Sequence, residues 1–144
     1  MKKKILMFAM LLGITCTVAA AKPGNPTKNV TARASNVIEA FVDAHMHGDA
    51  AMFNAILHTG AQLKLNRQGE VVMHSKSELV NFYKKSGLIQ LNCTSDYTIL
   101  SSNDCAVMAR VDFKFPEFVQ QHYVTIEKDK KGQWRISQIN QFNS

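Results

Sequence analysis

A chain of 144 residues, 46% hydrophobic and 19% charged, has the makeup of one globular domain, long enough to bury a core without disulfide staples. Three of the lysines behind its formal charge of +6 stand at positions 2–4, and no Lys/Arg cluster interleaved with aromatics follows. That distribution excludes the electrostatic footprint of a nucleic-acid-binding protein.

Lys2-Lys-Lys4 is a positive n-region, 5–14 is an apolar stretch of signal-peptide length, and Val18-Ala-Ala-Ala21 supplies small residues for cleavage after Ala20 or Ala21. The apolar stretch is shorter than the roughly 20 residues that cross a bilayer. Residues 1–21 are therefore read as an export signal and not as a membrane span, which places the mature chain in the periplasm or outside the cell. Cys16 raises the alternative of a lipidated N-terminus, but Thr15 before it is a poor fit to that processing. Loss of the three leader lysines leaves 14 basic residues against 11 acidic ones, an ordinary soluble surface of net +3. Lys22-Pro-Gly-Asn-Pro26 opens a linker over 22–29, and 30–144 form the domain.

From Val30 the pattern turns helical: Val30, Ala34, Val37, Ile38, Phe41, Val42 and His45 recur at three- and four-residue spacing. Gly48 stops this first helix and Asp49 caps a short second one over 50–57. A strand pair over 62–66 and 70–74 turns at Arg67-Gln-Gly69, and Ser75-Lys-Ser-Glu78 is a capping box for a third helix to about Lys85, with Leu79, Phe82 and Tyr83 on one face. Four longer strands are expected over 88–101, 105–115, 119–128 and 133–142, from alternating apolar and polar residues separated by turns. The whole is an α+β architecture in which a long, curved antiparallel sheet wraps over three helices from the N-terminal side.

Two cysteines remain after the leader, Cys93 and Cys105. Matching apolar faces across the turn at Ser102-Asn-Asp104 puts Ser101 opposite Cys105 and Phe113 opposite Cys93. The two thiols then stand roughly 27 Å apart along the strands, beyond the Cα separation of about 7 Å that a bridge tolerates. Two free, largely buried thiols are expected.

The order of elements, the Gly48-Asp49 pair, Leu57-His-Thr-Gly-Ala61, and Lys131-Gly-Gln-Trp-Arg-Ile136 followed by Phe142 resemble the nuclear transport factor two-like superfamily, and within it the SnoaL-like and lumazine-binding-like branch. The resemblance covers about 30–143 and implies a cone-like, cystatin-type fold with a cavity between sheet and helices. It does not choose a function, since that fold carries isomerases, dehydratases, cyclases and non-catalytic modules alike.

Face matching along the strands supplies candidates for the cavity. Tyr97, Ala109, Val124 and Ile136 form one rung; Ser95, Val111, His122 and Gln138 form the next. An apolar wall with a few polar groups is what a small-molecule site presents, so the expected ligand-binding set is Phe41, His45, Phe82, Tyr97, Phe113, His122 and Gln138. His122 reads equally as a core histidine satisfied by Gln138 or Ser95, and His45 as a residue favoured at the negative end of a helix. His45-Met-His47 suggests a metal pair, but residues two apart on a helix diverge by about 200° and no carboxylate or thiolate cluster stands beside them. No metal or cofactor is expected.

The catalytic relatives set a sharper requirement. Ketosteroid isomerases use a buried aspartate base facing a tyrosine and an acid; scytalone dehydratase uses a Tyr/Asp pair at the end of its first helix with two strand histidines. Here that helix end reads His45-Met46, and Asp96 and Asp112 alternate onto the outer sheet face, so Tyr97 and His122 match only in part. The expected function is an exported, non-catalytic protein binding a small, largely apolar molecule. The alternatives are an isomerase or dehydratase using His122 as base and Tyr97 as donor, and a dimerisation module whose cavity is filled. Met108, Arg110, Tyr123 and Thr125 on the outer sheet face point to a homodimer packed sheet to sheet.

Overall fold

The computed structural model describes residues 30–144. The expected leader over 1–21, with Cys16, and the linker over 22–29 lie outside the described residues. Helix α1, Ala34–His47, buries Val37, Ile38, Phe41 and Ala44 on the face that the three-and-four spacing marks. It begins later than that spacing suggests because the Thr31 carbonyl accepts a 2.8 Å hydrogen bond from the Trp134 N–H, which ties the preceding segment to the last strand.

Gly48 ends α1 in the left-handed region at φ 68°, with its N–H on the Ala44 carbonyl. A Cβ there would stand 2.8 Å from the Gly87 carbonyl oxygen and 3.1 Å from Ile89 Cγ1. Gly48→Ala therefore adds a left-handed backbone penalty to a collision with main chain, and a loss of about 2–4 kcal/mol is expected as a lowered urea midpoint. An unchanged midpoint would contradict this close approach.

Asp49 caps helix α2, Ala50–Ile56, by accepting the Met52 N–H at 3.0 Å. Strand β1, Leu57–Arg67, follows directly and is longer than the alternation alone predicts, because its first residues pair in parallel with the last strand. Gln68 (φ 49°) and Gly69 (φ 84°) make the tight turn to β2, Glu70–Ser75, both residues left-handed as a two-residue hairpin of the primed type requires. The capping box forms as read: the Ser75 side chain accepts from the Glu78 N–H while the Glu78 carboxylate accepts from the Ser75 N–H, opening helix α3, Lys76–Ser86.

The next segment departs from expectation. Ile89 and Leu91 donate their N–H groups to the His47 and Met46 carbonyls at 3.0 Å each, so the chain after α3 is captured by the open end of α1. Strand β3 therefore runs Thr94–Ser102, not from 88. Strands β4, Ala106–Lys114, β5, Val119–Lys128, and β6, Trp134–Asn143, complete the sheet. The sheet order is β2-β1-β6-β5-β4-β3, antiparallel throughout except between β1 and β6.

The three helices cover the concave face of this curved sheet, the α+β cone that the sequence indicated. The seam between the layers is filled by Phe41, Phe53, Val111, Phe113, Val124 and Ile136, all buried.

The β4–β5 register is the expected one, with Ala109 opposite Val124 and Val111 opposite His122. The two flanking registers are not. Both hairpins already pair differently at their turns, Ser102 with Val107 and Lys128 with Trp134, and with one-residue irregularities at Ile99/Ser101 and Thr125/Ile126 added, Tyr97 stands opposite Val111, Ser95 opposite Phe113, His122 opposite Gln141 and Val124 opposite Ile139. Both cysteines are free, but Cys105 is exposed at the β3–β4 turn, where its N–H bonds the Asn103 side chain, and Cys93 is half-buried against Met46 Sδ at 3.2 Å. Among the described residues no helix is long and apolar enough to cross a membrane.

Candidate functional site

The last turn of α1 projects His45 into the layer between helices and sheet. Its neighbours arrive from two other elements: Tyr83 from the buried face of α3, and Gln120 from β5, two residues before His122 and hence on the same strand face. His45 Nδ1 lies 2.8 Å from the Tyr83 hydroxyl and Nε2 lies 3.0 Å from Gln120 Oε1. A neutral imidazole has one donor and one acceptor. The amide oxygen can only accept, so Nε2 carries the proton, and the Tyr83 O–H donates to Nδ1.

Burial is the main reason the ring stays neutral, lowering the His45 pKa to about 4 against a smaller opposing effect of the Gln120 hydrogen bond. Burial likewise pushes the Tyr83 phenol well above its ordinary range. His122 sits directly behind, its ring centroid 5.0 Å from that of His45 and 5.1 Å from that of Phe113. Its pKa falls to about 3, first through burial and then through the neighbouring His45, with the Gln141 side chain pulling the other way. The His122 Nδ1 is buried and has no hydrogen-bond partner among the described residues.

In front of His45 and Tyr83 opens a pocket of about 800 Å³ between α3 and the β1–β2 end of the sheet. Its floor is His45, Tyr83, Gln120 and Gln141. Leu63 and Leu65 of β1, Leu79 and Phe82 of α3, Ile89, Leu91 and Phe115 give apolar walls, and Arg67, His74, Glu78 and Lys85 stand among the polar lining. His74 Nδ1 and Glu78 Oε2 form a 3.1 Å pair.

The seven residues expected to share one cavity are divided by the structure into three groups. His45 and Phe82 line the pocket. Phe41, Phe113 and His122 are buried behind it as a ring cluster, with Phe41 5.5 Å from His122, and do not line it. Tyr97 and Gln138 lie elsewhere.

The β3–β4 turn, which pairs Ser102 with Val107, and the bulge beyond it set Tyr97 opposite Val111 on the edge strand, two positions from the expected Ala109, where it is 39% exposed and borders a shallow depression with Glu39, Val42 and Asp43. The β5–β6 turn, which pairs Lys128 with Trp134, and the irregularity near Thr125 and Ile126 together make Ile139 and Gln141, not Gln138, the partners of Val124 and His122; Gln138 pairs with Thr125. The polar partner placed on β6 by simple alternation is thus three residues too early.

Residues missed from sequence were partly readable. Gln120 follows from His122 by strand alternation, and Leu63 and Leu65 from the alternation of β1. Ile89 and Leu91 carried no such signal, because their place is set by the carbonyl groups at the end of α1. His47 points away from His45 and pairs with Asp43 at 3.1 Å; among the described residues no group of three or more His, Cys, Asp or Glu side chains is placed to hold a metal. His58 accepts the Gly60 N–H at 3.1 Å within the irregular first residues of β1, not in a separate turn after α2.

Comparison with known proteins places this geometry in context. A structure from Silicibacter pomeroyi, an NTF-2-like protein of unknown function, is similar at 16% identity with a TM-score of 0.64, covering 76% of this chain and 92% of that one. An NTF2-like protein of unknown function from Shewanella baltica is similar at 11% identity and TM-score 0.62, over 76% and 90% of the two chains. A ketosteroid isomerase-like protein from Erwinia carotovora atroseptica is similar at 12% identity and TM-score 0.56, over 80% and 94%. At these identities the likeness shows the fold alone. The comparison with curated proteins gave no match. The family model described as "Putative lumazine-binding" matches residues 29–139. On the match across nearly all of the described cone, the chain belongs to that lumazine-binding-like family, and its fold is the NTF2-like one of the solved structures.

Proposed function

We propose that this chain is an exported, non-catalytic protein that binds a small molecule in the pocket between α3 and the sheet. The observation carrying the reading is a largely apolar recess of about 800 Å³ that ends on a few convergent polar groups, a size and lining that suit small organic ligands. Membership of a family described as lumazine-binding supports it, and the n-region and apolar stretch over 1–14 support export.

Binding is favoured over turnover by the state of the floor. Both nitrogens of His45 are already engaged, and a group with a pKa of about 4 is a weak proton acceptor near neutrality. The carboxylate in the lining, Glu78, is held by Ser75 and His74.

Thermal denaturation of the mature protein against a panel of small heteroaromatic compounds, lumazine among them, tests the proposal. A binder at a hundred times its Kd adds about 2.7 kcal/mol, and Leu65→Trp, which projects an indole into the pocket from β1, diminishes the shift. No stabilisation by any compound, or an equal shift in the Leu65→Trp variant, overturns the reading.

A sheet-to-sheet homodimer is supported by a separate observation. The outer face carries exposed Met108 and Phe142 with Tyr123, whose ring meets Phe142 edge-on at 5.6 Å, beside the Arg110–Asp112 pair at 3.3 Å. Met108→Lys is expected to convert the dimer to monomer in sedimentation velocity while leaving the circular dichroism spectrum unchanged. A monomeric wild type, or an unaffected dimer in the variant, would refute this interface.

A further inference from the structure

The pocket has two chemically different ends, and the difference specifies a ligand class. At the inner end every polar group is neutral: the His45 ring is held uncharged between Tyr83 and Gln120, and Gln141 completes the floor. The Gln120 oxygen is taken by His45, which leaves its amide NH₂ as a donor, and the Tyr83 oxygen keeps lone pairs after giving its proton to Nδ1.

The polar lining beyond that floor is cationic. Arg67 ends β1 and Lys85 lies in the last turn of α3, both exposed and both lining the recess, and neither forms an ion pair with a described residue. The one carboxylate in the same lining, Glu78, keeps its charge while it accepts from the Ser75 N–H at 3.2 Å and pairs with His74 at 3.1 Å, so the lining holds two cations to one anion. Two uncommitted positive charges beside low-dielectric walls of Leu63, Leu65 and Phe82 concentrate field at the opening.

Resting on the small-molecule reading above, we propose that the ligand is an amphiphilic organic anion. Its aryl or aliphatic body lies on the β1 leucines and Phe82, its anionic group meets Arg67 and Lys85, and a neutral carbonyl or hydroxyl at its far end meets Gln120 and Tyr83. The reverse orientation would bury a charge against a floor with no cation to pair it, which is strongly unfavourable.

Two fluorescent probes with one aryl skeleton test this: 1-anilinonaphthalene-8-sulfonate, which carries an anion, and N-phenyl-1-naphthylamine, which does not. The wild type is expected to bind both saturably, the sulfonate at least about fivefold tighter at low salt, with the preference shrinking in 0.5 M salt, where screening acts within about 4 Å. Arg67→Gln with Lys85→Gln should bring the two affinities together without weakening the neutral probe. Equal affinities in the wild type, or a preference that survives the double variant, overturn the anion assignment alone. Absence of saturable binding by either probe, or unchanged binding of both in Leu65→Trp, sinks the pocket reading itself and the assignment with it.

Discussion

Phe113→Ala is expected to cost about 3–5 kcal/mol, enough to unfold much of the population of a domain of ordinary stability. The Phe113 ring is fully buried, and its centroid lies 4.3 Å from that of His45, 5.1 Å from His122 and 6.1 Å from Phe41. It thus joins α1 to β4 and is the apolar wall that keeps water from two uncharged histidines. Alanine leaves a void beside them that the surrounding strands can close only in part. Urea unfolding at pH 7.5 measures the loss. Phe113→Leu, which keeps most of the volume, should recover more than half of it, and a loss below about 1 kcal/mol in the alanine variant would show that the cluster is not the keystone described.

The second large effect is on acid stability. His45 and His122 have folded pKa values lowered from the ordinary 6.5 to about 4 and about 3, in both cases mainly by burial. The unfolded chain takes up a proton on each near pH 6.5, whereas the folded one does so only near the lowered values. Their neutral forms therefore support the fold fully above pH 6.5, and that support is lost progressively as pH falls toward 4 and then 3. Each histidine contributes on the order of 1.4 kcal/mol per pH unit within its window.

Unfolding free energy should therefore drop steeply between pH 6.5 and 4.5, by several kcal/mol in all. Glu78 and Asp129, whose carboxyls are held below their ordinary 4.5 and 3.8 by hydrogen bonds, act at lower pH and leave this window to the histidines. His122→Leu should roughly halve the slope. A flat stability profile from pH 7 to 5 would contradict neutral burial of the pair.

Much of this was legible in the chain. Apolar spacing gave the face of α1, Gly48 and Asp49 its end and the start of α2, and Ser75 with Glu78 the start of α3, because each rests on a local rule tied to residue type. Alternation also gave the β4–β5 register, which no bulge interrupts. The candidate site was less legible for the same physical reason run backwards: a period of two carries no memory of an inserted residue. The β3–β4 and β5–β6 turns pair residues two to three positions away from the expected ones, and with the two irregularities added, Tyr97 stands opposite Val111 and Gln141, not Gln138, opposite His122.

Aromatic identity does not separate core from lining. Phe41 and Phe113 were expected to touch a ligand, yet they fill the core behind the pocket, while the walls in front are mainly leucines and isoleucine. Tyr83 was read as a helix-face residue; its role on the floor depends on a partner 38 residues away in sequence, which no local pattern records.

The most direct measurement of the central claim is native mass spectrometry of the protein purified gently from its own host, with the Leu65→Trp variant prepared in parallel. The binding account predicts a small-molecule mass above that of the polypeptide in the wild type and a diminished or absent one in the Leu65→Trp variant. A wild type that stays bare when offered the compounds that stabilise it in thermal denaturation, or a variant that carries the same adduct, would contradict it.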